Sequence, residues 1–181
     1  MKVNLGAGSD ILAGYVNHDL VDLPGIDVVH NLNQYPWPWS DGSIDDIKMY
    51  DVLEHLDDFM KAMEEIYRVL APGGQCRVSV PYWNSWCAYA DPTHKRGFHE
   101  ITFRFFDPES DYCKERAYYT HARFKIVEEK FVVVPFNPYF GFPGVGEILV
   151  SRRLSKRVVG LIGNYFISNL IQGLHLVLEK P

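Results

Sequence analysis

Two groups of residues in this 181-residue chain have types and spacings that could do chemistry. The first is Gly6-Ala7-Gly8, which directly follows the apolar run Lys2 to Leu5, together with Asp19 near the end of a second strand-like run, Tyr15 to Leu20. Glycines just past a buried strand let a ligand approach backbone where a Cβ would collide. An acidic residue at the tip of the next strand can accept hydrogen bonds from both hydroxyls of a ribose. The pairing suggests a nucleoside-bearing cofactor, although a plain tight turn needs the same glycines. The second group is His55 together with Asp91, His94 and Arg96 of the run Asp91-Pro92-Thr93-His94-Lys95-Arg96. Imidazole titrates near neutrality and can take a proton from a reacting group. Asp91 is placed to orient such a ring and Arg96 to hold an anion. Asp91, His94, His99 and Glu100 are also metal-ligand types at close spacing. Pro92 and Lys95 do not suit a helical ligand pair, so no metal is expected.

The elements that must position these residues follow from hydrophobic patterning. Strand-like runs recur at Val3 to Leu5, Tyr15 to Leu20, Asp27 to His30, Ile44 to Tyr50 and Gln75 to Val80. Several read as apolar on both faces, the pattern of a buried parallel sheet. Phe59, Met63, Ile66, Tyr67 and Leu70 share one helical face. Asp57 and Asp58 favour that helix's first turn, Arg68 its last, and Ala71-Pro72-Gly73-Gly74 stops it. Strand, helix, strand predicts a right-handed βαβ unit. Two further strand candidates, Val127 to Val134 and Leu174 to Glu179, are expected to close the sheet antiparallel at its edge. Only Ser9 to Gly14 separate the glycine turn from the second strand, whereas a parallel crossover takes a dozen or more residues. The first crossover helix is therefore expected to be vestigial.

Composition excludes several classes. At 181 residues and 47% hydrophobic content the chain can bury one good core, so a single domain over 1–181 is expected. A net charge of −5 argues against a broad nucleic-acid footprint. Cys76, Cys87 and Cys113 form no CxxC pair and leave an odd thiol, which implies neither a disulfide framework nor a zinc site of ordinary spacing. With no signal-like or membrane-spanning run, a cytoplasmic location is expected.

Three motifs in order, Trp37-Pro38-Trp39-Ser40-Asp41-Gly42-Ser43-Ile44-Asp45, Asp51-Val52-Leu53-Glu54-His55-Leu56 and Arg68-Val69-Leu70-Ala71-Pro72-Gly73-Gly74, stand behind the glycine turn. With them the chain resembles the class I S-adenosylmethionine-dependent methyltransferases, in the subgroup often called methyltransferase type 11, over about residues 2–106. The run Asp91 to Arg96, with Phe103 to Phe106 after it, looks like a further signature of a compact branch of that family. The resemblance implies a Rossmann-like α/β fold, mostly parallel with an antiparallel edge strand, and S-adenosylmethionine as cofactor. It implies that backbone around Gly6, Ala7 and Gly8 faces the methionine part and the ribose. Asp19 would hold the ribose hydroxyls, Asn31 and Leu32 the adenine, and Asp51 the methionine ammonium group. Many relatives carry Asp where Asn31 stands, which predicts weaker adenine recognition through the amide oxygen. The Tyr35-Pro36-Trp37-Pro38-Trp39 loop would cover the adenine on one side, its indoles forming core or pocket wall.

Methyl transfer from a sulfonium is an in-line displacement, so the protein chiefly aligns the acceptor and excludes water. His94, with Asp91 and Arg96, is the preferred acceptor site and His55 the second candidate; His18, His30, His121 and His175 read as ordinary sheet or surface residues. Acceptor choice is expected to lie with lid segments at about 82–111 and 136–171. Phe136, Tyr139, Phe140 and Phe142 are placed to stack on a sugar or to close over the cofactor. Arg152, Arg153, Lys156 and Arg157 lead an apolar stretch, Val158 to Ile171, which reads as an edge-covering helix or dimer face and leaves membrane contact through 152–171 open. A small-molecule or glycan-type acceptor is expected. The alternative is a catalytically silent cofactor-binding partner or sensor, and a nicotinamide dehydrogenase fits worse because Ile11 stands where the dinucleotide fingerprint needs its last glycine.

Overall fold

The structure is a computed structural model, which describes residues 1–133, 148–151, 153–165 and 167–181. The aromatic loop at 136–143 and Arg152 fall outside the described residues. Eight strands, β1 (Lys2–Leu5), β2 (Val16–Asp19), β3 (Val28–Val29), β4 (Ile44–Tyr50), β5 (Leu70–Pro81), β6 (Lys125–Val133), β7 (Ile148–Val150) and β8 (Ile171–Glu179), form one sheet. Their order is β3-β2-β1-β4-β5-β8-β6-β7. The first five strands run parallel; β8 is antiparallel to both β5 and β6, and β7 is the antiparallel edge. The C-terminal strand is thus inserted inside the sheet, and the edge role falls to β7. Helices are α1 (Phe59–Val69), α2 (Cys87–Ala90), α3 (Glu100–Arg104), α4 (Asp111–Glu115) and α5 (Arg153–Tyr165).

The helix α1 forms where its periodic apolar residues predict it. Phe59, Ala62, Met63, Ile66 and Val69 are buried, and Asp58 caps the N-terminus by accepting from Lys61 N at 3.0 Å. Asp57 stays outside the helix and pairs with Lys95. Ala71 to Gly74 do not form a separate stop: Leu70 is already extended, and the strand runs on from it, with an irregularity where it pairs Ile44 and Asp46.

The sheet is apolar on one face only, contrary to the two-sided pattern expected. Rows of partners cross it: Val3, Ile47, Cys76 and Leu178, then Leu5, Met49, Val78 and Leu176, all buried. These meet α1 and a cluster of Phe59, Phe98, Phe103, Phe106 and Phe124. The alternate rows are polar: Asp46, Gln75 and Glu179, then Asn4, Lys48 and Arg77, then Tyr50, Ser79, His175 and Lys130. Strand β4 alternates Asp46, Lys48 and Tyr50 with Ile47 and Met49, which is a half-buried strand.

The same one-sidedness explains the missing first crossover helix. No helix connects β1 to β2 among the described residues; residues 6–15 form a loop instead. A loop, unlike a helix, presents unpaired backbone groups to the sheet. Asn4 and Asn17, both buried on the polar face, supply the partners: Asn4 Nδ2 donates to Asp10 O at 2.8 Å, and Leu12 N donates to Asn17 Oδ1 at 2.9 Å.

Candidate cofactor and acceptor site

The C-terminal ends of β1, β2 and β4 open onto one cavity of about 450 Å³, lined by Gly6, Asp19, Asn31, Leu32, Asp51 and His55 among others. This is where ligands bind in open parallel sheets. Five of the seven residues expected to hold a cofactor line it; Ala7 and Gly8 flank it. Gly8 N donates to Asp19 Oδ2 at 2.8 Å, which locks the glycine turn to the tip of β2. Val21 N donates to Asp19 Oδ1 at 3.1 Å, and each oxygen keeps a further lone pair for a hydroxyl. Gly6 has φ +67°, and a Cβ there would lie 2.3 Å from Val52 Cγ2, so the position excludes every side chain. Asp51 is held at φ 55° just past β4, an uncommon conformation for a non-glycine residue and one that marks functional loops. Its N–H donates to Ser79 O at 2.9 Å, and Val52 caps the following short 3-10 turn without a side-chain bond, so Asp51 is not spent as a cap.

Asn31 differs from expectation. Its Oδ1 accepts from Asn33 N at 2.9 Å in a local turn, leaving the NH₂ donors to the cavity. The Trp37 and Trp39 side chains are buried in the core and line no part of this cavity. Trp37 Nε1 donates to Leu32 O at 3.0 Å, so the loop steadies the cavity wall at Leu32 instead of covering the cavity. His18 and His30, read from sequence as ordinary residues, both line the cavity, and His18 Nε2 bonds His30 O at 2.9 Å. Burial lowers the His18 pKa.

A second cavity, of about 380 Å³, adjoins the first through Asp51 and is lined by Glu54, Ser79, Cys87, His94, Gln172 and His175 among others. It sits above β4, β5 and β8. Between the two cavities three of the four expected catalytic residues, His55, His94 and Asp91, converge. The His55 and His94 rings meet edge to face with centroids 4.7 Å apart. Thr93 Oγ1 donates to Asp91 Oδ1 at 2.6 Å and lies 2.9 Å from His55 Nδ1. Its single proton goes to the carboxylate, so Nδ1 of His55 carries a hydrogen and Nε2 keeps its lone pair. Asp91 therefore orients His55 through Thr93, and not His94. The Thr93 hydroxyl and amide hold the Asp91 carboxyl below its ordinary pKa, while burial and then His94 lower that of His55. Arg96 lines neither cavity: its guanidinium donates to Leu56 O and Asp57 O, pinning the 91–96 loop against the loop after β4.

Glu54 was not anticipated. Its side chain is fully buried, burial pushes its carboxyl up to about 8, and neither oxygen has a hydrogen-bond partner among the described residues. The four residues Asp91, His94, His99 and Glu100 do not gather. His99 caps α3, with its Nδ1 accepting from Ile101 N, and Glu100 accepts from Tyr82 Oη at 2.7 Å. A further cavity, of about 820 Å³ between α3, β6 and α5, shares no residue with either of these, and its buried Glu129 is paired with Arg104 and Lys156.

Residues 3–78 match the model of a methyltransferase domain. A protein of Mycolicibacterium smegmatis named as a probable S-adenosylmethionine-dependent methyltransferase is 39% identical over 75 residues, 41% of this chain and 28% of that protein. The demethylmenaquinone methyltransferase of Listeria welshimeri is 30% identical over 87 residues, 42% of this chain and 36% of that enzyme. The chain thus spans about a third of the length of these curated relatives. A crystal structure of an S-adenosylmethionine-dependent methyltransferase from Archaeoglobus fulgidus superposes over 99% of this chain and 85% of its own with a TM-score of 0.64 at 17% identity. Residues 3–78 thus match a methyltransferase domain, and the chain as a whole shares the fold of the Archaeoglobus fulgidus structure. The matched domain and fold imply S-adenosylmethionine as cofactor, and the donor set fits it: two carboxylates for a diol and an ammonium, and amide donors at Asn31 for a heterocycle.

Proposed function

We propose that this chain transfers the methyl group of S-adenosylmethionine to a small-molecule or glycan-type acceptor held in the cavity over β4, β5 and β8. The observation that carries this reading is the pair of adjoining cavities meeting at Asp51, one lined by the cofactor residues and the other by Glu54 and His94. When bound, the cofactor supplies an electrophilic methyl group on a sulfonium centre. The chain's residues do the rest. Asp19 accepts from hydroxyls, Asp51 accepts from the ammonium group, and Asn31 donates to the base. The apolar walls Leu32, Val52 and Leu56 exclude water from the same space. An acceptor hydroxyl or ammonium group must lose its proton, and the groups gathered around the shared wall to manage that charge are Glu54, His55 and His94.

Calorimetric titration of S-adenosylmethionine and its demethylated product into wild type and Asp19→Ala tests the reading. Binding near micromolar in the wild type and a loss of about a hundredfold in the variant are expected, which is the loss of charge-assisted bonds to two hydroxyls. Absence of heat with either ligand in the wild type would withdraw the assignment.

A further inference from the structure

Three buried polar atoms at the wall between the two cavities have no partner among the described residues: Glu54 Oε1, Glu54 Oε2 and His94 Nδ1. Leaving such atoms unpaired is costly, and a buried carboxylate persists only when it is paired or ligates a metal. Next to them His55 presents an imidazole oriented by the Thr93–Asp91 chain, the arrangement in which an outer carboxylate fixes the tautomer of a metal-binding histidine. One donor atom each from Glu54, His55 and His94 lies within 4.8 Å of the others.

We propose that Glu54, His55 and His94 form a binding site for a first-row divalent transition-metal ion. Two imidazoles and one carboxylate are a nitrogen-rich set that suits zinc, manganese, iron or cobalt over calcium or magnesium, which prefer oxygen. Bonds of about 2.0–2.2 Å place neighbouring donors about 3.4 Å apart, so the set contracts by side-chain rotation on loading. Three protein ligands leave coordination positions open. They face the acceptor cavity, since Glu54 and His94 line it. An ion there would hold an acceptor oxygen and stabilise its deprotonated form, with the proton released to solvent. That last role rests on the methyltransferase reading; the site itself does not.

The test is titration of Zn²⁺ into chelator-washed protein, wild type and variants, by calorimetry. One equivalent is expected to bind wild type, with at least a hundredfold loss in Glu54→Gln and His94→Gln. About tenfold loss is expected in Thr93→Val, which removes the hydroxyl that joins His55 to Asp91. His121→Ala, at an exposed histidine, should bind as wild type does. The demethylated cofactor product should bind Glu54→Gln and His94→Gln normally, reporting an intact fold. A wild type that takes up no Zn²⁺, or variants that bind it equally well, would overturn the proposal. Zn²⁺ binding without binding of the cofactor product would instead remove the methyltransferase reading and leave the metal site standing. If the variants do not fold, zinc-dependent protection of His55 and His94 from diethyl pyrocarbonate on wild type decides the question, and equal modification with and without Zn²⁺ counts against the site.

Discussion

At the residue scale the cofactor cavity depends on a few positions with no chemical substitute. Gly6 combines positive φ with a Val52 methyl where its Cβ would stand. Gly6→Ala should cost roughly 3 kcal/mol, from left-handed backbone strain and overpacking together. Thermal denaturation checks this, and an unchanged midpoint would show that the loop rearranges freely. That Gly6, Asp19, Asn31, Leu32 and Asp51 share one cavity was legible because each stands at or just past a strand end, where local pattern dictates position. Asn31 was legible as a cavity residue, but its orientation was not. Which atom faces the cavity depends on the backbone turn that takes its oxygen.

At the element scale, two connections hold the site in place. The loop replacing the first crossover helix rests on Asn17, whose amide bonds Asn4, Leu12 N and Leu12 O. Asn17→Leu keeps the volume but leaves those groups unpaired beneath the loop. Destabilisation of roughly 2 kcal/mol is expected, with weaker binding of the cofactor product as the Gly8–Asp19 contact loosens. Chemical denaturation and calorimetry on the same variant check both effects. On the other side, Arg68 in the last turn of α1 donates to Trp37 O, Trp39 O, Asp41 and Glu65, while Glu65 also accepts from Trp37 N at 2.7 Å. The helix thereby clamps the loop that carries Leu32's partner Trp37. Arg68→Met should cost roughly 1–3 kcal/mol, since the half-buried Glu65 loses its counter-ion. If an equilibrium unfolding curve for Arg68→Met overlays that of wild type, the clamp is not a stabilising contact. From sequence, Arg68 read only as a favourable charge at a helix end. Glu65 lies one helical turn away, but the partners Trp37, Trp39 and Asp41 lie about thirty residues earlier in the chain, and nothing local announces them.

At the scale of the whole molecule, one covered sheet face carries the stability and one polar face is left without a helix layer among the described residues. Because the apolar rows run unbroken from Val3 to Leu178, unfolding should be a single cooperative transition. The demethylated cofactor product at a hundred times its dissociation constant should add about 2.7 kcal/mol, or roughly 5–10 °C for a chain of this size. Scanning calorimetry would show the shift, and two resolved peaks would contradict a shared core. No described helix is long and apolar enough to cross a membrane.

The α1 helix, the loop in place of a crossover helix and the residues that line the first cavity follow from residue patterns spanning a few positions, because period and turn chemistry act locally. Strand β4 shows the limit. Its apolar residues were visible, but the alternation of Asp46, Lys48 and Tyr50 becomes a polar face only when register aligns it with Arg77, Ser79 and His175. The convergence of Glu54 and His55 with His94 is of the same kind. Some forty residues separate them, and they meet because Lys95 N donates to Glu54 O and Arg96 ties its loop to Leu56 and Asp57. Neighbours along the chain are set by spacing, whereas neighbours across a closed loop exist only once the core has packed.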